Sequence, residues 1–122
     1  MEKDKSFRFL DDGLHRQFLA LLKKRGIKHR VGRDGTVHYS EDDEEFIENE
    51  LISPIRDGVF RAWQVLTCPR EWIPRYRQYM RDHHVPFREE LSNKELWFLL
   101  PRKHRPHQWK LEGSTKIERM AI

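Results

Sequence analysis

The chemistry open to this chain rests on seven histidines, one cysteine and a dense acidic run. A zinc centre needs ligands at set spacing, usually cysteines or histidines fixed by a helix or knuckle. His104 and His107 stand close together, but Arg105 and Pro106 separate them and no cysteine is near. His83 and His84 fall at the expected end of a helix, where a cation complements the dipole. His29 and His38 flank the Asp34-Gly35 turn, which as a two-residue loop would set His38 opposite Val31. His15 sits in the first turn of the first expected helix. No H-E-x-x-H pattern occurs, and the six glycines are scattered at turns instead of forming a phosphate loop. No metal and no cofactor is expected.

Cys68 follows an expected strand and precedes a helix, a position that can lower a thiol pKa. Cys68-Pro69-Arg70-Glu71 nevertheless lacks the second cysteine of a redox motif, so an inert thiol is the reading. A lone cysteine also forms no internal disulfide, which suits a reducing, cytoplasmic setting. The start, Met1 to Lys5, holds no apolar stretch, and no run approaches a membrane span. Paired histidines with arginines can cleave RNA by acid–base catalysis. No spacing singles out such a pair, and a small ribonuclease-like enzyme ranks last among the readings.

Charge is the stronger signal. The chain carries 24 basic against 20 acidic side chains, yet Glu41 to Glu50 alone holds seven carboxylates and no base. The remainder is correspondingly basic, densest along Arg70–Arg88 and in Arg102-Lys103-His104-Arg105. Uneven charge of this kind favours charged partners on separate surfaces. Ser40 reads as a helix N-cap followed by carboxylates in the first turn. Asp42, Asp43, Glu44 and Glu45 then form an acidic face suited to a basic protein partner. A calcium loop would need a glycine that the run lacks. Arg70, Arg77 and Arg81 fall largely opposite Trp72, Tyr76 and Tyr79 on one helix. With Arg102, Lys103, Arg105, Lys110 and Trp109 they make an alternative footprint for RNA or single-stranded nucleic acid.

These groups are positioned by a repeating order of elements. Ser6–Leu10 reads as a strand. Leu14, Phe18, Leu21 and Leu22 recur at helical spacing, and Lys23-Lys24-Arg25-Gly26 closes that helix. Lys28–Ser40 reads as a hairpin with a type I′ turn at Asp34-Gly35. The acidic helix carries Phe46, Ile47, Leu51 and Ile55 on its apolar stripe. Pro54 biases Ser53 away from helical geometry, and Asp57-Gly58 marks a turn. A second strand runs from Val59 to Leu66, then an irregular entry through Cys68–Trp72 and a helix from Ile73 to His83. A second hairpin joins Phe87–Leu91 to Glu95–Leu100 around Ser92-Asn93-Lys94. Its run Leu96-Trp97-Phe98-Leu99-Leu100 is apolar on both faces and belongs near the centre of a sheet.

Residues 6–40 and 60–100 thus repeat strand, helix and hairpin, with Leu14 matching Trp72, Phe18 matching Tyr76 and Leu22 matching Met80. The expected fold is α+β: an antiparallel sheet with helices packed on one face, ferredoxin-like or built of doubled β-α-β-β units. Residues 1–101 form one domain, and 102–122 a basic, partly disordered tail. The expected function is a small non-enzymatic protein-binding or regulatory module, in the manner of an immunity- or antitoxin-like inhibitor. The core should gather Phe18, Leu22, Phe46, Ile47, Trp63, Leu66, Tyr76, Met80, Phe98 and Leu100. Phe98→Ala should then cost about 3–5 kcal/mol, measured as a lowered urea midpoint. A near-native midpoint would displace Phe98 from the core.

Overall fold

Strand β1 (Asp4–Phe9) buries Phe7 and Phe9 on one side, and Asp11 then accepts the Leu14 N–H at 2.9 Å to start helix α1 (Asp12–Lys24). The helix buries Phe18 and Leu22, sets the Phe18 ring edge-on to both strand phenylalanines, and stops at Gly26, whose φ of 65° suits a left-handed cap. The hairpin β2 (Arg30–Val31) and β3 (Val37–Ser40) follows. A continuous helical run comes next: a 3-10 turn at Glu41–Asp43, α2 (Glu44–Ile47), a π turn at Glu48–Ile52 and α3 (Ser53–Val59). Then come β4 (Trp63–Thr67), a 3-10 turn at Arg70–Trp72, α4 (Ile73–Asp82), and the hairpin β5 (Arg88–Ser92) and β6 (Glu95–Pro101). Strand β7 (Lys116–Met120) is last. The computed structural model describes residues 4–109, 111 and 115–121.

The strands form one seven-stranded sheet in the order β2-β3-β1-β5-β6-β4-β7, with every pairing antiparallel. The α+β class and antiparallel sheet agree with the sequence. Both β-α-β-β stretches lay their strands in the same order, β2-β3-β1 and β5-β6-β4. A ferredoxin-like sheet would place β4 beside β1, whereas β5 holds that place and β4 lies beyond β6. The helices also differ from expectation by covering both faces. Tyr76 and Met80 of α4 pack with Leu66, Phe98 and Leu100, while Trp97 and Leu99 pack with Trp63 and Val65 on the reverse side. Phe9, Glu90 and Trp97 are successive cross-strand partners, so this reverse side is the one under α1 and the acidic helical run. A strand apolar on both faces requires cover on both.

The described residues after Pro101 pack against the rest of the fold at several points. Lys116–Met120 pairs with β4, Pro106 is buried, and Trp109 lies stacked against Tyr79. Strand β4 is buried at every position, and without β7 its backbone polar groups would form an unpaired edge. Lys110 and Ile122 lie outside the described residues.

The acidic run also departs from its expected shape. Pro54 and Asp57-Gly58 lie within α3 instead of ending the helix. Proline removes an N–H and crowds the carbonyl four residues earlier, and the wide π turn just before it accommodates both. That turn changes the phase of the inward stripe. Ile47 and Glu48, Leu51 and Ile52, and Ile55 and Arg56 are buried in pairs, while Phe46 is left 44% exposed.

The turns exchange roles too. At the first hairpin only Gly35 is left-handed, because Asp34 accepts the Thr36 N–H in a local side-chain turn. Val31 therefore opposes Val37, and His38 opposes Arg30. The left-handed pair expected there occurs instead at Asn93 and Lys94, with φ of 50° and 70°.

His15 fixes the first hairpin to the core. Its Nδ1 accepts the Phe9 N–H at 3.2 Å and its Nε2–H donates to the Gly35 carbonyl at 2.6 Å, which defines a neutral ring. Burial lowers its pKa, although the Gly35 bond opposes the shift. The folded chain therefore binds fewer protons here than the unfolded chain, so stability rises with pH across that interval. Urea midpoints should fall as pH drops below the ordinary histidine range. His15→Gln should flatten this slope, and an unchanged slope would remove His15 as its source.

Candidate functional site

The least expected feature of the interior is a cluster of charges. Arg56 and Glu90 are both fully buried, 0% exposed, on α3 and β5. Arg56 Nε and Nη2 donate to the two Glu90 oxygens at 3.0 and 2.7 Å. Its Nη1 reaches both oxygens of Glu48 at 3.0 and 2.9 Å. Glu48 also accepts from Arg119 Nε of β7 at 3.1 Å. The guanidinium carbon lies 4.9 Å from the Trp63 ring centre and 5.9 Å from those of Phe7 and Trp97. The π turn makes this possible by bringing Glu48 and Arg56 onto the inward stripe. Burial pushes the Glu90 carboxyl up, and the Arg56 charge opposes that. With both oxygens accepting from a donor-only guanidinium, the pair is ionic.

Outward from this anchor lies the acidic face. Glu44 is tied to Lys5 at 3.9 Å and lies 3.5 Å from Asn93 Nδ2, so it is partly engaged. Asp43 is half-buried, whereas Glu41, Asp42, Glu45 and Glu50 are exposed. Phe46 projects among them, with the Arg25 guanidinium 5.9 Å from its ring centre. Asp42 and Asp43 also border a 470 Å³ cleft with His29, Arg30 and His38. His29 Nδ1 is held by the Ile27 carbonyl at 2.7 Å.

No known protein family, curated protein or solved structure matches this chain. Its surfaces have to speak for its function.

The residues considered for nucleic acid are dispersed in use. Arg77 is a bidentate partner of Glu89, with contacts of 2.6 to 3.2 Å. Trp109 stacks on Tyr79 with ring centres 4.6 Å apart and is part of the α4 packing rather than a free platform. Arg102 donates to the Ala121 carbonyl at 2.9 Å. Arg70, Arg81, Lys103 and Arg105 remain exposed. Burial pushes the Cys68 thiol up to about 11, leaving it protonated and unreactive at neutral pH. Among the described residues no three histidine, cysteine or acidic side chains gather as a metal site.

Sequence reasoning passed over Glu48, Arg56 and Glu90, since charged types are ordinarily assigned to the surface. The available signal was the four-residue recurrence of Ile47, Leu51 and Ile55 with Glu48, Ile52 and Arg56 each one position later. Removing one member of a buried ion cluster leaves an uncompensated charge. Arg56→Met should destabilise by about 3–5 kcal/mol. Glu90, deprived of its cation, would then have a folded pKa above its unfolded one, so the variant should be more stable near pH 5 than at neutral pH. Adding Glu90→Leu should recover most of the loss and abolish that slope. Equal urea midpoints for Arg56→Met and wild type would show the cluster to be energetically idle.

Proposed function

We propose that this protein is a non-enzymatic, cytoplasmic protein-binding module, regulatory in the manner of an immunity- or antitoxin-like inhibitor. It would bind a basic partner on Asp42, Glu45 and Phe46, with Asp43 and Glu44 bordering the contact. The observation that carries this reading is the placement of Phe46, an aromatic side chain held out among carboxylates while its helical neighbours fill the core. A solvated aromatic within a charged rim has the composition of an interface hot spot, with carboxylates around it to steer a cationic surface. The buried Arg56 cluster ties the helical run to β5 and β7, so little freedom would be lost on docking. The internal pairing of Arg77 and the packing of Trp109 weigh against the nucleic-acid alternative. Among the described residues no helix is long and apolar enough to cross a membrane.

The test is recovery of a basic protein at physiological salt with wild type and two variants, Phe46→Ala and the pair Asp42→Lys with Glu45→Lys. Both variants should stay folded and weaken the complex at least about tenfold, as truncation of a hot spot does. Unchanged retention by folded variants would remove this face. Tight RNA binding would reverse the ranking if it weakened with salt by about −0.7 log unit per phosphate contact and was lost with Arg70, Arg77 and Arg81 substitutions.

A further inference from the structure

The sheet face opposite the acidic helical run is the one that carries α4. On that side α4 packs over Leu66, Phe98 and Leu100, toward the β4 and β6 half of the sheet. Between the first turn of α4 and the β5–β6 turn lies an open groove of about 830 Å³. Its apolar lining includes Leu10, Ile73, Leu91 and Leu96, all half-buried, with Cys68 and Pro69 at one side. Leu91 and Leu96 are direct cross-strand partners and form a continuous aliphatic floor.

The rim is cationic. Arg70 and Lys94 both line the groove, both are exposed, and neither has an ion-pair partner among the described residues. Arg77 lines the wall but is committed to Glu89. The one acid in the lining, Glu95, accepts the Trp97 indole N–H at 3.0 Å.

Lys94 is also displayed at a cost. Its φ of 70° lies where glycine is favoured, and a side chain there is strained. The turn is held by Asn93, whose N–H donates to the Ser6 carbonyl at 2.9 Å while its Oδ1 accepts the Ser6 N–H at 2.9 Å. A lysine is thus presented on a fixed support beside an apolar floor.

We propose that this groove is a second binding site, for a short acidic peptide segment with an apolar anchor. The anchor would lie on Leu91 and Leu96, and its flanking carboxylates would meet Arg70 and Lys94. Charge complementarity selects an acidic segment over a basic one. The aliphatic floor offers no ring on which a base could stack, which disfavours single-stranded nucleic acid. An open groove encloses little of a compact small molecule but matches an extended chain.

The test uses the full chain, isotopically labelled and followed by amide chemical shifts. The probe is an acetylated hexapeptide alternating glutamate and leucine. It is compared with a glutamate–serine peptide, a lysine–leucine peptide and oligouridylate. The glutamate–leucine peptide should bind best and shift Leu10, Ile73, Leu91 and Leu96. Arg70→Glu combined with Lys94→Gly should weaken it roughly tenfold, as loss of rim charges does, while the relaxed turn preserves the fold. Asp42→Lys with Glu45→Lys should leave this binding intact, separating it from the acidic face. The proposal fails if the groove amides do not move. It also fails if any of the other three probes binds there equally well or if the groove variant binds normally.

Discussion

The interior of this protein is organised around a guanidinium held among aromatic rings. Arg56 joins the helical run to β5 through Glu90, and through Glu48 and Arg119 to β7. Such a cluster is poor value as stabilisation, because desolvating its charges offsets most of their attraction. Its usefulness is geometric. Hydrophobic contacts tolerate sliding, whereas a bidentate pair at 2.7 and 3.0 Å is satisfied in one register only. One α-helical turn of misregistration would strand Arg56 or Glu90 without a partner. The same rigidity determines which side of the acidic helix faces water.

Much of the local structure was legible because it depends on local chemistry. Helix α1 declared itself by its Asp11 cap, its apolar period and Gly26, all of which act within a few residues. Strand β6 was legible because an apolar run of its length has little alternative to a doubly covered strand. Phe46 was misplaced because its stripe assumed ordinary helical period, and the π turn shifts that period. The Asp34-Gly35 signal was overridden by the Asp34 side chain, while at Lys94 a non-glycine residue adopts the strained conformation that composition argues against.

The candidate surfaces were legible to different degrees. The acidity of Glu41–Glu50 is plain from composition, but its division into exposed Glu45 and half-engaged Glu44 depends on Lys5 and Asn93, remote in sequence. The groove could not be foreseen, since Leu10, Ile73, Leu91 and Leu96 meet only through the sheet order. Strand β7 was missed for another reason. A backbone ladder is available to almost any residue type, so pairing with β4 leaves little trace in side-chain pattern.

The strand order has a consequence for how the chain becomes a sheet. Strand β1 has β3 on one side, but its other neighbour is β5, and β4 is flanked by β6 and β7. During synthesis the first β-α-β-β stretch therefore emerges with one long edge of β1 still open, and β4 emerges before either of its partners. Non-local pairings of this kind slow folding and leave unpaired edges exposed to other chains. The buried charge cluster is completed equally late: Arg56 finds Glu48 within its own helical run, but Glu90 and the Arg119 that also pairs with Glu48 come only with β5 and β7. A nascent chain in that interval holds an apolar sheet edge still waiting for its partner strands.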